Sequence, residues 1–219
     1  MRFALRSYLV RALRKASQRN GIEKYLATAN PRRLNIGCGS NILPGWLNTD
    51  TDASPGSVYL DATRMAVIPD GSFDAVFCEH MIEHVSLPDA IRILHEAYRI
   101  LKPAGMIRIV TPSLTAFCRL MSDEAYGREY IDWFRGFSGN KGADAVDVVN
   151  AIFYLHGHRF IWSERRLADE LMRAGFRLVH PYPAGSHGSS LFAGADHHGA
   201  VIGEAANRFE SFAVEARKE

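Results

Sequence analysis

The chain is short of cysteine and of uninterrupted apolar sequence. Its three cysteines, Cys38, Cys78 and Cys118, are odd in number, far apart and without C-x-x-C spacing, which excludes a disulfide framework or a zinc site as an organising element. They read as buried small residues in a reducing compartment. No stretch approaches the roughly 20 apolar residues that a membrane-crossing helix needs, and arginines interrupt the N-terminus where a signal peptide would keep its apolar centre. A cytoplasmic protein is expected. Internal repeats and low-complexity tracts are absent. A dense basic patch with interleaved aromatics is also missing beyond the N-terminal segment, which points away from nucleic acid as a partner.

What remains is an ordinary apolar content spread over 219 residues, enough for one compact domain with attachments. The charge is uneven. Residues 1–33 carry nine Lys/Arg against Glu23 alone, so a chain of net charge +2 leaves −6 for residues 34–219. Leu5, Leu9, Ala12 and Ala16 fall near one helical face, surrounded by Arg2, Arg6, Arg11, Arg14, Lys15 and Arg19, so residues 1–31 read as a basic amphipathic helical extension. With a short apolar stripe and no Trp, docking on the acidic body or in a homodimer is preferred to weak membrane-surface contact.

Past Pro31, short apolar runs alternate with helical patterns. Leu34 to Ile36, Trp46 to Asp50, Val58 to Leu60, Phe73 to Cys78 and Met106 to Val110 read as strands. Ser86-Leu-Pro-Asp89 resembles a capping box opening a helix that Pro103 stops. Ser163 caps another, which Gly175 ends. Phe176 to Tyr182 and Arg208 to Ala216 read as the last strands. The alternation predicts a mostly parallel sheet covered on both faces. Residues 113–162 form an inserted cap, with helices over Ala116 to Met121 and Ala143 to Leu155 around a mobile Gly-rich middle, 136–142. Its aromatics, Tyr126, Tyr130, Trp133, Phe134, Phe153 and Tyr154, are expected to pack the insertion onto the sheet rather than line a pocket.

At the end of the first strand, Gly37-Cys38-Gly39 lets the backbone turn sharply and approach a ligand without a Cβ in the way, on the edge where open α/β sheets bind ligands. A dinucleotide fingerprint would place a third glycine where Ile42 stands and an acid about 20 residues on. Here Asp50 comes early and Asp61 closes the third strand, where Ala62 leaves room for a flat base. These features favour a single nucleoside and count against a nicotinamide-dependent oxidoreductase.

"LNIGCGSNILPGWLNTD", "YLDAT", "FDAVFCEHMIEHV" and "RILKPAGMIRIVTP" together resemble the successive motifs of the class I S-adenosylmethionine-dependent methyltransferases, over about residues 33–112. The resemblance recurs in "LADELMRAGF" and "HHGAVIGEAANRFESFAVEA". It implies a Rossmann-like domain over 32–219 with seven mostly parallel strands, the last antiparallel, carrying the helical cap and the N-terminal helical extension. It further implies S-adenosyl-L-methionine as cofactor: Gly37, Cys38 and Gly39 at the methionine part, Asp50 at the ribose diol with Asp52 as its substitute, Asp61 and Ala62 at adenine, and Glu79 near the sulfonium or amine. Where the family often has Gly, this chain has Ala104, so a turn without positive φ is expected there.

Methyl transfer from a sulfonium is an in-line displacement that chiefly requires alignment. For a hydroxyl acceptor, His80 and then His158 are the candidate catalytic bases. His80, Glu83 and His84 share a helical face that could hold a metal, but polar side chains satisfying the backbone beside the sheet explain them better, and no metal is assigned. His197 and His198 are given no role. The expected activity is O- or N-directed methylation of a small-molecule or glycan-like acceptor. The alternative is a non-catalytic S-adenosylmethionine-binding protein that docks a partner through its cap and N-terminal helix.

Overall fold

The computed structural model describes residues 18–219; the amphipathic pattern of residues 1–17 lies outside them. Helix α1 covers 18–28 and lays Ile22 into the main core. The Tyr25 hydroxyl donates to the carbonyls of Arg33 and Gly45, which ties the extension to the start of the sheet. Among the described residues no helix is long and apolar enough to cross a membrane.

Seven strands form one sheet in the order β3-β2-β1-β4-β5-β7-β6. They are β1 Arg33–Ile36, β2 Leu47–Asp50, β3 Val58–Tyr59, β4 Phe73–Glu79, β5 Leu101–Pro112, β6 Arg177–Pro183 and β7 Ser211–Arg217. The ladders β3-β2-β1-β4-β5 are parallel, and β7 runs antiparallel to both β5 and β6. The strand order reverses between β1 and β4, which opens a crevice at the C-terminal ends of β1, β2 and β4. Such central strands are buried on both faces, so they read as continuous apolar runs; Phe73, Ala75, Val76 and Phe77 in β4 are fully enclosed.

Helix α2 (Leu87–Ile100) starts where the Ser86 side chain accepts from the Asp89 N–H and buries Ala90, Ile93, Leu94 and Ala97. Helix α6 (Glu164–Arg173) starts on Ser163 in the same way. Three helices precede α6: α3 Leu114–Ser122, α4 Glu124–Ser138 and α5 Ala145–Tyr154. They share a separate apolar cluster that includes Phe117, Leu120, Tyr130, Val148 and Ile152. The chain then returns through α7 (His198–Ile202) and α8 (Glu204–Glu210) before β7.

Four local expectations change. The alternating pattern at Arg208 to Ala216 is not one strand: 204–210 is helical, because Ala206 and Phe209 pack against the cap, and β7 begins at Ser211. Residues 124–138 form a helix despite two glycines, and only 139–144 remain as a loop. Ala104 does adopt positive φ, +64°. Its N–H donates to the Lys218 carbonyl, while the Gly105 carbonyl accepts from Lys218, so pairing with the end of β7 holds the turn. Cys38 and Cys78 are buried, but Cys118 is exposed on α3.

Candidate active site

The glycine bend is built from below by two buried amides. Asn35 donates to the Asn41 carbonyl and to the Asn48 side chain, and Asn48 both accepts from the Leu43 N–H and donates to the Leu43 carbonyl. These bonds satisfy a loop that would otherwise bury unpaired backbone groups. Gly37 (φ +65°) and Gly39 (φ +49°) both occupy the left-handed region. A Cβ on Gly37 would fall 2.3 Å from Cγ of Met81, whereas one on Gly39 would meet nothing. Gly37 is therefore needed for close packing, and Gly39 for its turn and for the open space beside it.

A cleft of about 410 Å³ runs along this edge, lined by Gly37, Gly39, Asp50, Asp61, Ala62 and Met81 among others. Its size lies in the usual range for ligand sites. Asp50 accepts from the Gly39 N–H at 2.9 Å and from the Asp52 N–H at 2.8 Å; each oxygen keeps a lone pair for a further donor. Asp61 uses one oxygen on Thr63, through its N–H and its hydroxyl, and the other faces Arg64 at 3.9 Å. Two acids with free acceptor capacity at the ends of adjacent strands fit a ribose diol and an exocyclic amine.

Cys38 and Glu79 lie outside this lining. The Cys38 N–H donates to the Thr49 carbonyl and its own carbonyl accepts from Asn41. The Glu79 carboxylate accepts from the N–H groups of His197 and His198 and from the Asn41 side chain. Glu79 thus fastens the glycine loop to the start of α7.

Behind the cleft lies a second pocket of about 360 Å³, walled by Tyr130, Trp133, Phe134, Phe137, Val148 and Ile152 from α4 and α5 and floored by His80, His84, His158, His198 and Glu210. The two cavities share His80 and His84. The cap aromatics Tyr130, Trp133 and Phe134 therefore line a pocket, contrary to the packing expectation, while Tyr126 packs at a tilt against Phe209 and Tyr154 is exposed.

His80 follows β4 directly and has φ +47°, a conformation that costs a non-glycine residue about 1–2 kcal/mol. Its Nδ1 lies 3.3 Å from Oε1 of the fully buried Glu83, and its Nε2 lies 3.2 Å from the Ser211 hydroxyl. Burial alone would depress His80, but Glu83, and more weakly Glu210 and Glu79, outweigh it and raise its pKa. Glu83 is lowered: burial raises it, and His80 overcomes that. The His198 ring sits 3.8 Å from that of His80, with Nε2 2.7 Å from Glu210. Glu210 in turn accepts from the Tyr130 hydroxyl. His158 places Nδ1 2.5 Å from the Ile152 carbonyl. Since a carbonyl only accepts, Nδ1 carries the proton and Nε2 keeps its lone pair. Burial lowers the His158 pKa, against smaller raising effects of the Ile152 carbonyl and Glu83, so the ring is neutral near pH 7.

Comparison with known proteins bears on this geometry. A family model described as a methyltransferase domain matches residues 34–109, the segment that carries the cleft. That segment is similar to a methyltransferase domain. The chain is similar to a ubiquinone biosynthesis O-methyltransferase of Xanthomonas oryzae, 32% identical over 129 residues, covering 48% of this chain and 52% of that protein. Another of that name, from Pseudomonas aeruginosa, is 27% identical and covers 51% and 56%. The chain spans about half the length of these curated relatives. The fold is similar to that of a Thermotoga maritima S-adenosylmethionine-dependent methyltransferase titled a possible histamine N-methyltransferase (TM-score 0.55, 18% identity, 98% and 96% covered). An Archaeoglobus fulgidus methyltransferase gives a TM-score of 0.52 at 18% identity, with 91% and 92% covered. The cofactor of the class I family is S-adenosylmethionine, and the two acids and the Cβ-free bend of the cleft suit it.

Proposed function

We propose that this chain methylates a hydroxyl group on a flat, apolar small molecule, with S-adenosylmethionine bound in the cleft and the acceptor in the aromatic pocket. The supporting observation is that His80 and His84 line both cavities, which sets the acceptor pocket directly beside the cofactor cleft. Bound S-adenosylmethionine supplies a methyl group on a sulfonium, whose leaving group is already activated. Asp50 and Asp61 orient the nucleoside, and Met81, packed on Gly37, borders both the bend and the junction.

His158 takes the acceptor proton at Nε2, since its tautomer is fixed and its ring is neutral. His80 has a partner at each ring nitrogen and serves as part of the floor rather than as the base. Among the described residues neither Lys nor Arg lines the aromatic pocket, which disfavours phosphorylated or carboxylated acceptors. The largely apolar wall likewise disfavours a glycan. The hydroxyl preference also agrees with the names of the relatives that the chain matches over about half their length.

The test is transfer of labelled methyl to panels of hydroxylated aromatics and of matched amines, alongside calorimetry with S-adenosylhomocysteine. Label in the hydroxylated compounds, cut about 10²-fold to 10⁴-fold by His158→Gln with cofactor affinity kept, is expected. Label confined to amines would overturn the acceptor assignment. Tight cofactor binding with no transfer to any panel would instead favour the non-catalytic binding protein.

A further inference from the structure

The floor of the aromatic pocket gathers His80, His198 and Glu210, with the buried Glu83 against His80. Glu83 is fully enclosed and Glu210 is 7% exposed. Among the described residues their only ion-pair partners are His80 and His198, and neither Lys nor Arg lines the pocket. Oε1 of Glu83 makes no hydrogen bond that satisfies angle and distance.

Three donors converge there from three separate parts of the chain. One ligand atom each from His80, after β4, His198, at the start of α7, and Glu210, at the end of α8, lie within 4.8 Å of one another. Two imidazoles and one carboxylate with an open side form a known donor set for first-row divalent cations. Each side of the set also has an outer partner of the kind that orients metal ligands. Glu83 lies against His80 Nδ1, which leaves Nε2, whose neighbour is the rotatable Ser211 hydroxyl, as the ligand atom. Tyr130 donates to the second oxygen of Glu210. Glu79 holds the backbone of His198. The strained backbone of His80 belongs to the same construction, since strain of this kind persists only where its surroundings enforce it.

We propose that His80, His198 and Glu210 bind one divalent first-row cation, with its open coordination positions facing the aromatic pocket. Resting on the reading above, its role is to bind the acceptor oxygen as a Lewis acid and lower the pKa of that hydroxyl, so that His158 removes the proton more readily. This departs from the sequence reading, which assigned no metal.

The experiment uses the full chain, stripped with a chelator and titrated with Co²⁺, whose visible d–d absorption reports bound metal independently of turnover; Zn²⁺ serves as competitor. One equivalent per chain is expected, displaced by Zn²⁺. His198→Ala and Glu210→Gln should each weaken binding by at least about tenfold, Tyr130→Phe by roughly tenfold through the outer shell, and His158→Gln should leave it unchanged. Tyr130→Phe, which removes one hydroxyl, covers the case in which the ligand variants fail to fold. Absence of stoichiometric binding, binding indifferent to His198 and Glu210, or binding lost in His158→Gln would each overturn the proposal. Calorimetry with S-adenosylhomocysteine on the stripped chain separates the two readings: failure there sinks the cofactor assignment and leaves the cation result standing, and the converse holds equally.

Discussion

Replacing Gly37 by Ala tests the bend at its tightest point. Two costs add. The residue sits at φ +65°, where a Cβ costs about 1–2 kcal/mol. The new methyl would also lie 2.3 Å from Cγ and 2.7 Å from Cβ of Met81, so Met81 must leave its place; overpacking of this kind costs about 1–3 kcal/mol. The sum, roughly 2–5 kcal/mol, corresponds to a fall in Tm on the order of 4–20 °C for a chain of this size. Urea denaturation of Gly37→Ala, Met81→Ala and the double variant separates the parts. With Met81 truncated, the cost of Gly37→Ala should drop to the backbone part alone, about 1–2 kcal/mol. Gly39→Ala, at φ +49° with nothing near its Cβ, should cost only the backbone part from the start. If Gly37→Ala is as stable as the parent, or its cost is unchanged without Met81, the account of the bend is wrong.

Asp50→Ala should weaken S-adenosylhomocysteine binding by roughly 10-fold to 150-fold, the worth of a charge-assisted hydrogen bond pair; Asp52→Ala, outside the cleft lining, should change it little, and calorimetry showing the reverse order would move the ribose contact to Asp52. Arg108 is wholly buried in β5, with Asp196 at 2.8 and 2.5 Å and Glu215 at 2.9 Å. Arg108→Met would strand two acids and should destabilise by about 3–5 kcal/mol, with faster proteolysis of 184–203; an unchanged denaturation midpoint would refute it. Because burial holds His158 below its ordinary value of about 6.5, the acidic limb of kcat/KM should lie below that pH and vanish in His158→Gln. The sign for stability follows: below about pH 6.5 the unfolded chain takes the proton first, so this group's contribution falls as pH drops. A limb at or above that pH would refute the role.

The parts of the fold that were legible in the sequence are those whose cause is local. Ser86, Ser163 and Gly175 mark helix ends because caps and stops act within one turn, and the short strands β1, β2 and β4 stop at the Gly37 bend, at Asp50 and at Glu79. Helix α4 was not legible, since Gly127 and Gly136 argue against a helix. Gly127 is required by a neighbour: a Cβ there would lie 1.8 Å from Cδ1 of Leu120, so α3 and α4 pack closely only with glycine at that position. Ala104 misled for a similar reason. Its neighbour Gly105 has the Lys102 carbonyl 2.9 Å from where a Cβ would be, so the turn places its glycine at the crowded position and leaves Ala104 to take the positive φ.

The two cavities differ in the same respect. The cofactor cleft is drawn from residues 36–93, in strand-edge motifs that a linear reading can follow. The aromatic pocket joins the segments after β4, along α4 and α5, and through α7 and α8. His198, passed over in the sequence, is brought to His80 by bonds from residues 118 and 119 positions away, at Glu79. Met81 and His80 then divide the junction between them. The turn at His80, φ +47°, sets the Met81 side chain against Gly37 while the His80 ring lies on His198. A methyl group on Gly37 that displaces Met81 must therefore disturb His80 as well. The imidazole resonances of His80 and His198 should shift in Gly37→Ala and stay in place in Gly39→Ala. Equal shifts in both, or none in either, would mean that the bend and the histidine floor are mechanically independent.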